Sequence, residues 1–303
     1  MNSSTKQKDA MLSLIGQLVI DGLGMGLIYV MLSAGLVLIL SIPRIFFVAY
    51  GQYYMLGAYV VWGSVVLLKL PYFVALGLAV VATGILGVIS YRLIFYFIRD
   101  VKWFFLANVV AAIGLMMILN QLGLLIFGTS SRGMPSVFPG MVKVGGVKIS
   151  LEKLILILLV LLVSMGLYYV LQKTKIGRAM RAVAYNADVA SLQGVNPVMT
   201  YVVTMGIASA LSGFAGGTMA PVYAISPDMG GIIINVLLVI ILGGMGSLPG
   251  AVLGGLVMGM TLSFGYYFVG GGLAQILLFI VIGIVLIFRP GGLLGRAGED
   301  LAG

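Results

Sequence analysis

The sequence predicts an all-α protein, a polytopic transmembrane helical bundle of about nine spans, with eight to ten as the defensible range. Three observations predict it. Of the 303 residues, 61% are hydrophobic and only 8% charged, and the mean hydropathy is +1.20, whereas soluble domains run at about 25% charged. Apolar stretches close to the roughly 20 residues that cross a hydrocarbon core of about 30 Å recur along the whole chain. Cysteine and histidine are both absent, which removes disulfides, thiolate chemistry, imidazole metal sites and Ser-His or Cys-His catalysis together. The chain, 1–303, therefore reads as a single transmembrane domain with no metal site, no expected cofactor and no catalytic residues.

Taken in order, the apolar segments are Met11 to Leu40, Gln52 to Leu68, Tyr72 to Tyr91, Trp103 to Phe127, Leu151 to Leu171, Val198 to Pro221, Gly231 to Leu242, Ala251 to Val269 and Leu273 to Phe288. The first is long, roughly 45 Å as a helix, so it must tilt or break. The seventh is short for a span. Met1 to Ala10 is polar, and no small-residue cleavage site follows it, which predicts a retained first span rather than a signal peptide. Between the first two segments, Ser41 to Gly51 holds Pro43 and Arg44 in apolar surroundings. Irregular backbone at membrane depth survives only inside protein or beside a water-filled cavity, so this stretch reads as a broken, path-lining element.

Net charge is +9, but the cations are dispersed through short loops, the pattern of a topology signal rather than of a nucleic-acid footprint. Lys173, Lys175, Arg178 and Arg181 form the densest cluster, which places that loop in the cytoplasm. Stepping by spans puts Arg92, Arg99 and Lys102 inside, the Gly/Pro/Ser-rich loop from Gly128 to Ser150 outside, and Arg289, Arg296 and the C terminus inside. The N terminus does not resolve. Lys6 and Lys8 ask for the cytoplasm, while a single first span ending at Arg44 carries them outside.

The loop after the fifth segment, 173–196, is the most informative. At helical spacing Arg178, Arg181, Tyr185 and Asp188 share one face, and Met180, Val183, Ala187 and Ala190 another. Gly194 supplies a stop and Pro197 a new start. Two readings are open: a helix resting on the membrane surface, or a docking helix whose arginines pair with acids on a partner.

The run Gly177-Arg-Ala-Met-Arg-Ala-Val-Ala followed by Ala190-Ser-Leu-Gln-Gly-Val-Asn196 resembles the coupling-helix loop of branched-chain amino acid ABC permeases. Leu242-Gly-Gly-Met-Gly-Ser-Leu-Pro-Gly-Ala-Val-Leu-Gly-Gly255 resembles that family's glycine-rich block, and Phe288-Arg-Pro-Gly-Gly-Leu-Leu-Gly295 its C-terminal signature. A weaker match is Ala49-Tyr-Gly-Gln-Tyr-Tyr-Met-Leu-Gly-Ala-Tyr59. The resemblance covers nearly the whole chain, with its blocks in the family's order. It implies a permease subunit of an ABC importer, with ATPase subunits, a second permease subunit and an extracytoplasmic solute-binding protein as partners in the lipid bilayer, and no nucleic acid. The residues it assigns to ATPase coupling are Gly177, Arg178, Arg181, Asp188 and Gly194. Two departures stand out. Relatives carry Asn-Phe-Ala-His-Gly-Glu where this chain has Phe47-Val-Ala-Tyr-Gly-Gln52, and an acidic pair of the coupling helix is replaced here by Tyr185 and Asn186.

Read without the resemblance, Gly243, Gly244, Gly246, Pro249 and Gly250 make a tight turn between two spans. They are no phosphate loop, because G-x-x-x-x-G-K-[ST] occurs nowhere, so the chain cannot hydrolyse ATP itself and uphill transport would draw on a separate ATPase or on an ion gradient. In the sixth segment Gly206, Ser209, Ala210, Gly213 and Gly217 recur four apart. That spacing lets helices approach closely, within the subunit or against a second permease. Polar side chains inside apolar runs are Asp21, Asn108, Asn120, Gln121, Asn235 and Gln275. Each is either interhelical glue or a contact to the solute. The candidate path comprises Tyr50, Gln52, Asn108, Asn120 and Asn235, which would hold a zwitterionic solute by amide dipoles, hydroxyls and helix termini rather than by fixed charges. Two other functional classes compete: a self-sufficient secondary transporter or channel, for which Asp21 is the only suitably placed carboxylate, and an intramembrane enzyme, which lacks the residues.

Overall fold

The structure is a computed structural model that describes residues 3–99, 101–144 and 147–294, with side chains described for all of these except 3–10, 12, 143, 144, 147 and 148. Gly295 and Arg296, and the side chains of Lys6 and Lys8, lie outside the described residues. The described chain is all-α apart from one short antiparallel hairpin, β1 (Met141–Val144) with β2 (Val147–Ser150). Among the described residues, seven helices are long and apolar enough to cross a membrane: 13–41, 72–98, 104–127, 151–173, 197–219, 248–268 and 271–288. The two remaining predicted segments form shorter helices. α2 (Tyr50–Trp62) has 13 residues and runs into a π turn, Gly63–Leu67, and α10 (Ile232–Gly243) has 12, preceded by a 3-10 turn, Pro227–Gly231. At about 1.5 Å per residue, α10 alone covers roughly 18 Å, too little for a hydrocarbon core.

The first helix, α1 (Ser3–Ser41), is a single element of 39 residues. The break lies after it, at 42–49, where Arg44 adopts a left-handed φ of 56° and Pro43 cannot donate a backbone hydrogen bond. Ile42, Ile45, Phe47 and Ala49 are all buried there, so protein shields this irregular backbone. The Phe47 ring sits 5.5 Å from both Tyr53 and Phe95, and the chain re-enters helix when the Tyr50 and Gln52 amides donate to the Phe47 and Ala49 carbonyls.

The chain divides into two compact units. The first comprises 1–33, 136–161 and 237–303. Its core is Val239, Leu242, Met258, Leu262, Leu278 and Ile282, from α10, α11 (Leu248–Phe268) and α12 (Gly271–Phe288). Glycines let α1 lie against α11: a side chain on Gly26 or Gly259 would run into backbone of the other helix. Ser33 and Ser263 donate across the same contact, to the carbonyls of Ala251 (3.4 Å) and Leu18 (2.7 Å).

The second unit comprises 34–135 and 162–236. Its centre is α9 (Pro197–Met219), packed against α2 and against α3 (Tyr72–Ser90), which continues through a π turn, Tyr91–Phe95, into the last turn α4 (Tyr96–Ile98). The small residues of α9 form this contact. Gly213 meets Gly57 and Thr83, Gly216 lies on the Tyr54 carbonyl, and Gly217 faces Val61 and Leu76. These contacts all lie within the chain. α5 (Phe104–Phe127) covers α2 and the 3-10 turn, with few buried residues of its own, as expected for a helix that shows most of its surface to lipid.

Candidate translocation path and coupling surface

The 173–196 loop follows α6 (Leu151–Lys173) and folds as two short helices, α7 (Lys175–Tyr185) and α8 (Ala187–Leu192). Each has a side-chain cap: Thr174 Oγ1 accepts from the Gly177 amide at 3.2 Å, and Asn186 Oδ1 accepts from Asp188 and Val189 at 3.0 Å each. Asn196 caps α9 in the same way through the Met199 amide. Gly177 is packed so tightly on the Val170 and Leu171 carbonyls that a side chain there would overlap them, while Gly194 closes α8 with φ 83°, a value suited to glycine.

Met180, Val183 and Ala190 are buried, in accord with the predicted apolar face. Arg178 and Tyr185 on the opposite face of α7, and Asp188, Val189 and Leu192 on α8, are exposed, Tyr185 and Leu192 at 91% and 88%. Arg181 behaves differently from its neighbour. Its Nη1 donates to the Leu171 carbonyl, one of the last carbonyls of α6, where positive charge is favoured by the helix dipole. Arg181 thus fixes the angle of α7, whereas Arg178 points outward with no partner among the described residues.

The proposed path residues lie on α2, α5 and α10. Tyr50 and Gln52 share the first turn of α2, are 0% and 3% exposed, and each has a polar atom, Tyr50 Oη and Gln52 Oε1, without a hydrogen-bond partner in the structure. The Gln52 amide lies against the bare Cα of Gly230, and Ser212 on α9 donates to the Tyr50 carbonyl at 3.0 Å. Asn108 is buried on α5 with neither amide atom hydrogen-bonded, and one turn earlier Phe105 rests on Phe46 of the break at 6.4 Å. Asn120 and Asn235 are half-buried, on α5 and α10. Sequence reasoning missed Ser209, buried with an unpaired Oγ against Gly87, and the Tyr53–Ser90 hydroxyl pair at 2.6 Å. Ser209 was legible only as one of the small residues spaced four apart on α9, a pattern that carries no signal of an unmet hydrogen bond. Every buried unpaired side-chain atom found among the described residues belongs to the second unit. Leaving such atoms dry costs about 1–3 kcal/mol each, so their concentration marks where water or a solute would be welcomed.

In the first unit, two of the sequence blocks meet. Gly244 (φ 103°) and Gly246 (φ 85°) turn the chain from α10 into α11, Ser247 Oγ caps α11 through the Gly250 amide at 3.1 Å, and Pro249 occupies its first turn. Gly243 and Gly250 face each other with no room for a side chain on either. Beyond α12, the C-terminal signature returns to this turn: the Leu293 and Leu294 amides donate to the Leu242 and Gly243 carbonyls at 2.8 and 3.0 Å, with Gly292 (φ 83°) against Gly244. The two glycine-rich blocks are therefore one structural knot.

Comparison with known proteins shows the family. The model of the branched-chain amino acid transport system / permease component family matches residues 18–288. The chain is 29% identical over 293 residues to the high-affinity branched-chain amino acid transport system permease protein BraD of Pseudomonas aeruginosa, covering 92% of this chain and 95% of that one. It is 27% identical over 296 residues to LivH of Escherichia coli, with the same coverage, and 31% identical over 144 residues to a probable LivH of Methanocaldococcus jannaschii, covering 45% and 46%. No solved structure matches it. With seven membrane-length apolar helices and a family match across most of its length, the chain is a multi-pass membrane protein, a transport component rather than an enzyme, and belongs to the branched-chain amino acid transport system permease family.

Proposed function

We propose that this chain is the membrane-spanning permease subunit of an ABC importer that forms the path for branched-chain amino acids or a related small amphipathic solute. Its two units act as one permease domain in the cytoplasmic membrane of a bacterium or archaeon, with the C terminus and the 173–196 loop inside. A separate ATPase docks on α7 and α8, a second permease subunit completes the path, and an extracytoplasmic binding protein delivers the solute. The observation that carries this reading is the outer face of α7 and α8, where exposed Tyr185, Val189 and Leu192 flank the free Arg178. Apolar side chains beside an unpaired cation suit a protein partner bearing acids better than they suit water. The inner face, locked to α6 by Gly177 and Arg181, would pass a push from that partner into the membrane helices.

The test is reconstitution. The chain co-expressed with its genomic neighbours and placed in proteoliposomes should take up labelled leucine, isoleucine or valine only when ATP, the ATPase and the binding protein are all present. Uptake without ATPase, driven by an ion gradient, would overturn the reading.

A further inference from the structure

Arg132 lies in the loop after α5, at the end of α9 remote from α7 and α8. Its guanidinium stacks 4.5 Å above the Trp62 ring and its Nη2 donates to the Phe127 carbonyl at 2.6 Å. Its backbone is clamped by a reciprocal pair of hydrogen bonds with Ile225, both 2.8 Å, so the loop after α5 is fastened to the loop after α9. Yet its buried Nε has no acceptor. Beside it Tyr59, 1% exposed, stacks face to face on Phe127 at 4.0 Å and 11°, and its hydroxyl is likewise buried with no partner. Two unmet donors thus surround Phe127, one of them cationic and rigidly seated. Asp228, three residues past Ile225 on the 3-10 turn Pro227–Gly231, carries an exposed carboxylate.

A site built for structure alone would leave no buried cationic donor unmet, because that costs more than the net gain from a typical hydrogen bond. Donors without acceptors ask for an anion, and an arginine fork is shaped for a carboxylate. A free carboxylate a few residues away offers the complementary site for a cation. The surrounding rings of Trp62, Tyr59 and Phe127 supply an apolar wall.

We propose that Arg132, Tyr59 and Asp228 form a head-group site for a zwitterionic α-amino acid, with the solute carboxylate on Arg132 Nε and Tyr59 Oη and its ammonium on Asp228. This rests on the proposed amino-acid substrate but replaces the neutral, amide-only recognition expected from the sequence with a pair of fixed charges. Tyr59 lies on the same helix as Tyr50 and Gln52, about two turns further along α2.

Trp62 and Trp103 are the only tryptophans in the sequence, so Trp103→Phe leaves Trp62, in contact with the site, as the sole reporter. The full-length chain in lipid nanodiscs is titrated with leucine, leucinamide, 4-methylpentanoate and isoamylamine, following Trp62 emission. Leucine should bind at least tenfold more tightly than each analogue. Arg132→Gln should erase the preference over leucinamide, Asp228→Asn the preference over 4-methylpentanoate, and Arg132→Lys should retain part of the former. Tyr59→Phe should weaken leucine and 4-methylpentanoate alike, by three- to tenfold, and leave isoamylamine unchanged. No Trp62 response to leucine, equal affinities for all four ligands, or variants that shift all four by one factor would each overturn the proposal. Leucine uptake by the reconstituted importer, measured in parallel, separates this failure from failure of the proposed function.

Discussion

Lys153 Nζ lies 2.7 Å from Asp21 Oδ1, joining the start of α6 to α1. Asp21 was the one carboxylate placed to serve as an ion relay in a self-powered transporter, and it is engaged by a cation, with the two side chains 27% and 39% exposed. A half-exposed pair of this kind contributes about 0.2–1 kcal/mol. Asp21→Asn should therefore retain at least half of the ATP-dependent uptake and lower the unfolding temperature only slightly. Dissipating the proton gradient should affect wild type and variant alike. Loss of all transport in Asp21→Asn with normal expression would restore the relay.

Arg178 and Arg181 should part company on mutation. Arg178→Glu should cut ATP-coupled uptake by about tenfold or more, equivalent to losing roughly 1.4 kcal/mol of docking energy, and weaken co-purification with the ATPase without altering membrane insertion. Arg181→Gln removes the hydrogen bond to the Leu171 carbonyl, and should destabilise the fold of the loop by about 1–2 kcal/mol, seen as faster proteolysis between 173 and 196. Identical phenotypes for the two would contradict the division of labour.

The Gly243–Gly250 contact admits no side chain. Gly243→Val and Gly250→Val should each cost several kcal/mol, on the order of 3 or more, because backbone rather than a flexible side chain must move. Gly283, with nothing within 4 Å of an added Cβ, provides the control: Gly283→Ala should be neutral or stabilising by about 0.5–1 kcal/mol. Thermal unfolding in detergent reads both.

Orientation is testable because the chain has no cysteine. Ser131→Cys and Gln193→Cys are both at exposed positions. An impermeant maleimide should label the first in whole cells and the second only after the membrane is opened. The reverse pattern would invert the assignment and place α7 and α8 beyond reach of any ATPase.

At the proposed path, Gln52→Ala and Asn108→Leu remove Gln52 Oε1 and both Asn108 amide atoms, all buried without a hydrogen-bond partner in the structure. Both should lower leucine uptake several-fold, and Asn108→Leu should leave the unfolding temperature equal or higher, since an unmet buried amide is exchanged for an apolar group of similar size. Full uptake with raised stability would make these side chains packing only.

The sequence alone determined the all-α membrane fold, because transferring so much apolar surface to water has no soluble solution and only helices satisfy their own backbone in lipid. It also placed a break within Ser41 to Gly51, through Pro43 and Arg44, which the structure narrows to 42–49, and the amphipathic α7, through a periodicity that needs no knowledge of neighbours. The small-residue stripe of α9 was legible as a close-packing surface, but not as one facing α2 and α3. What only the tertiary structure decided is pairing between distant positions: Gly243 with Gly250 and the returning Leu293, Arg181 with the end of α6, Asp21 with Lys153, and Arg132 with Trp62 and Ile225. Hydrogen bonds and ring contacts act over a few ångströms, and a chain read in one dimension does not say which residues a fold brings that near. The extent of the seventh apolar segment was decided there too: even with its preceding 3-10 turn, α10 runs only from Pro227 to Gly243, short of the seven membrane-length helices among the described residues.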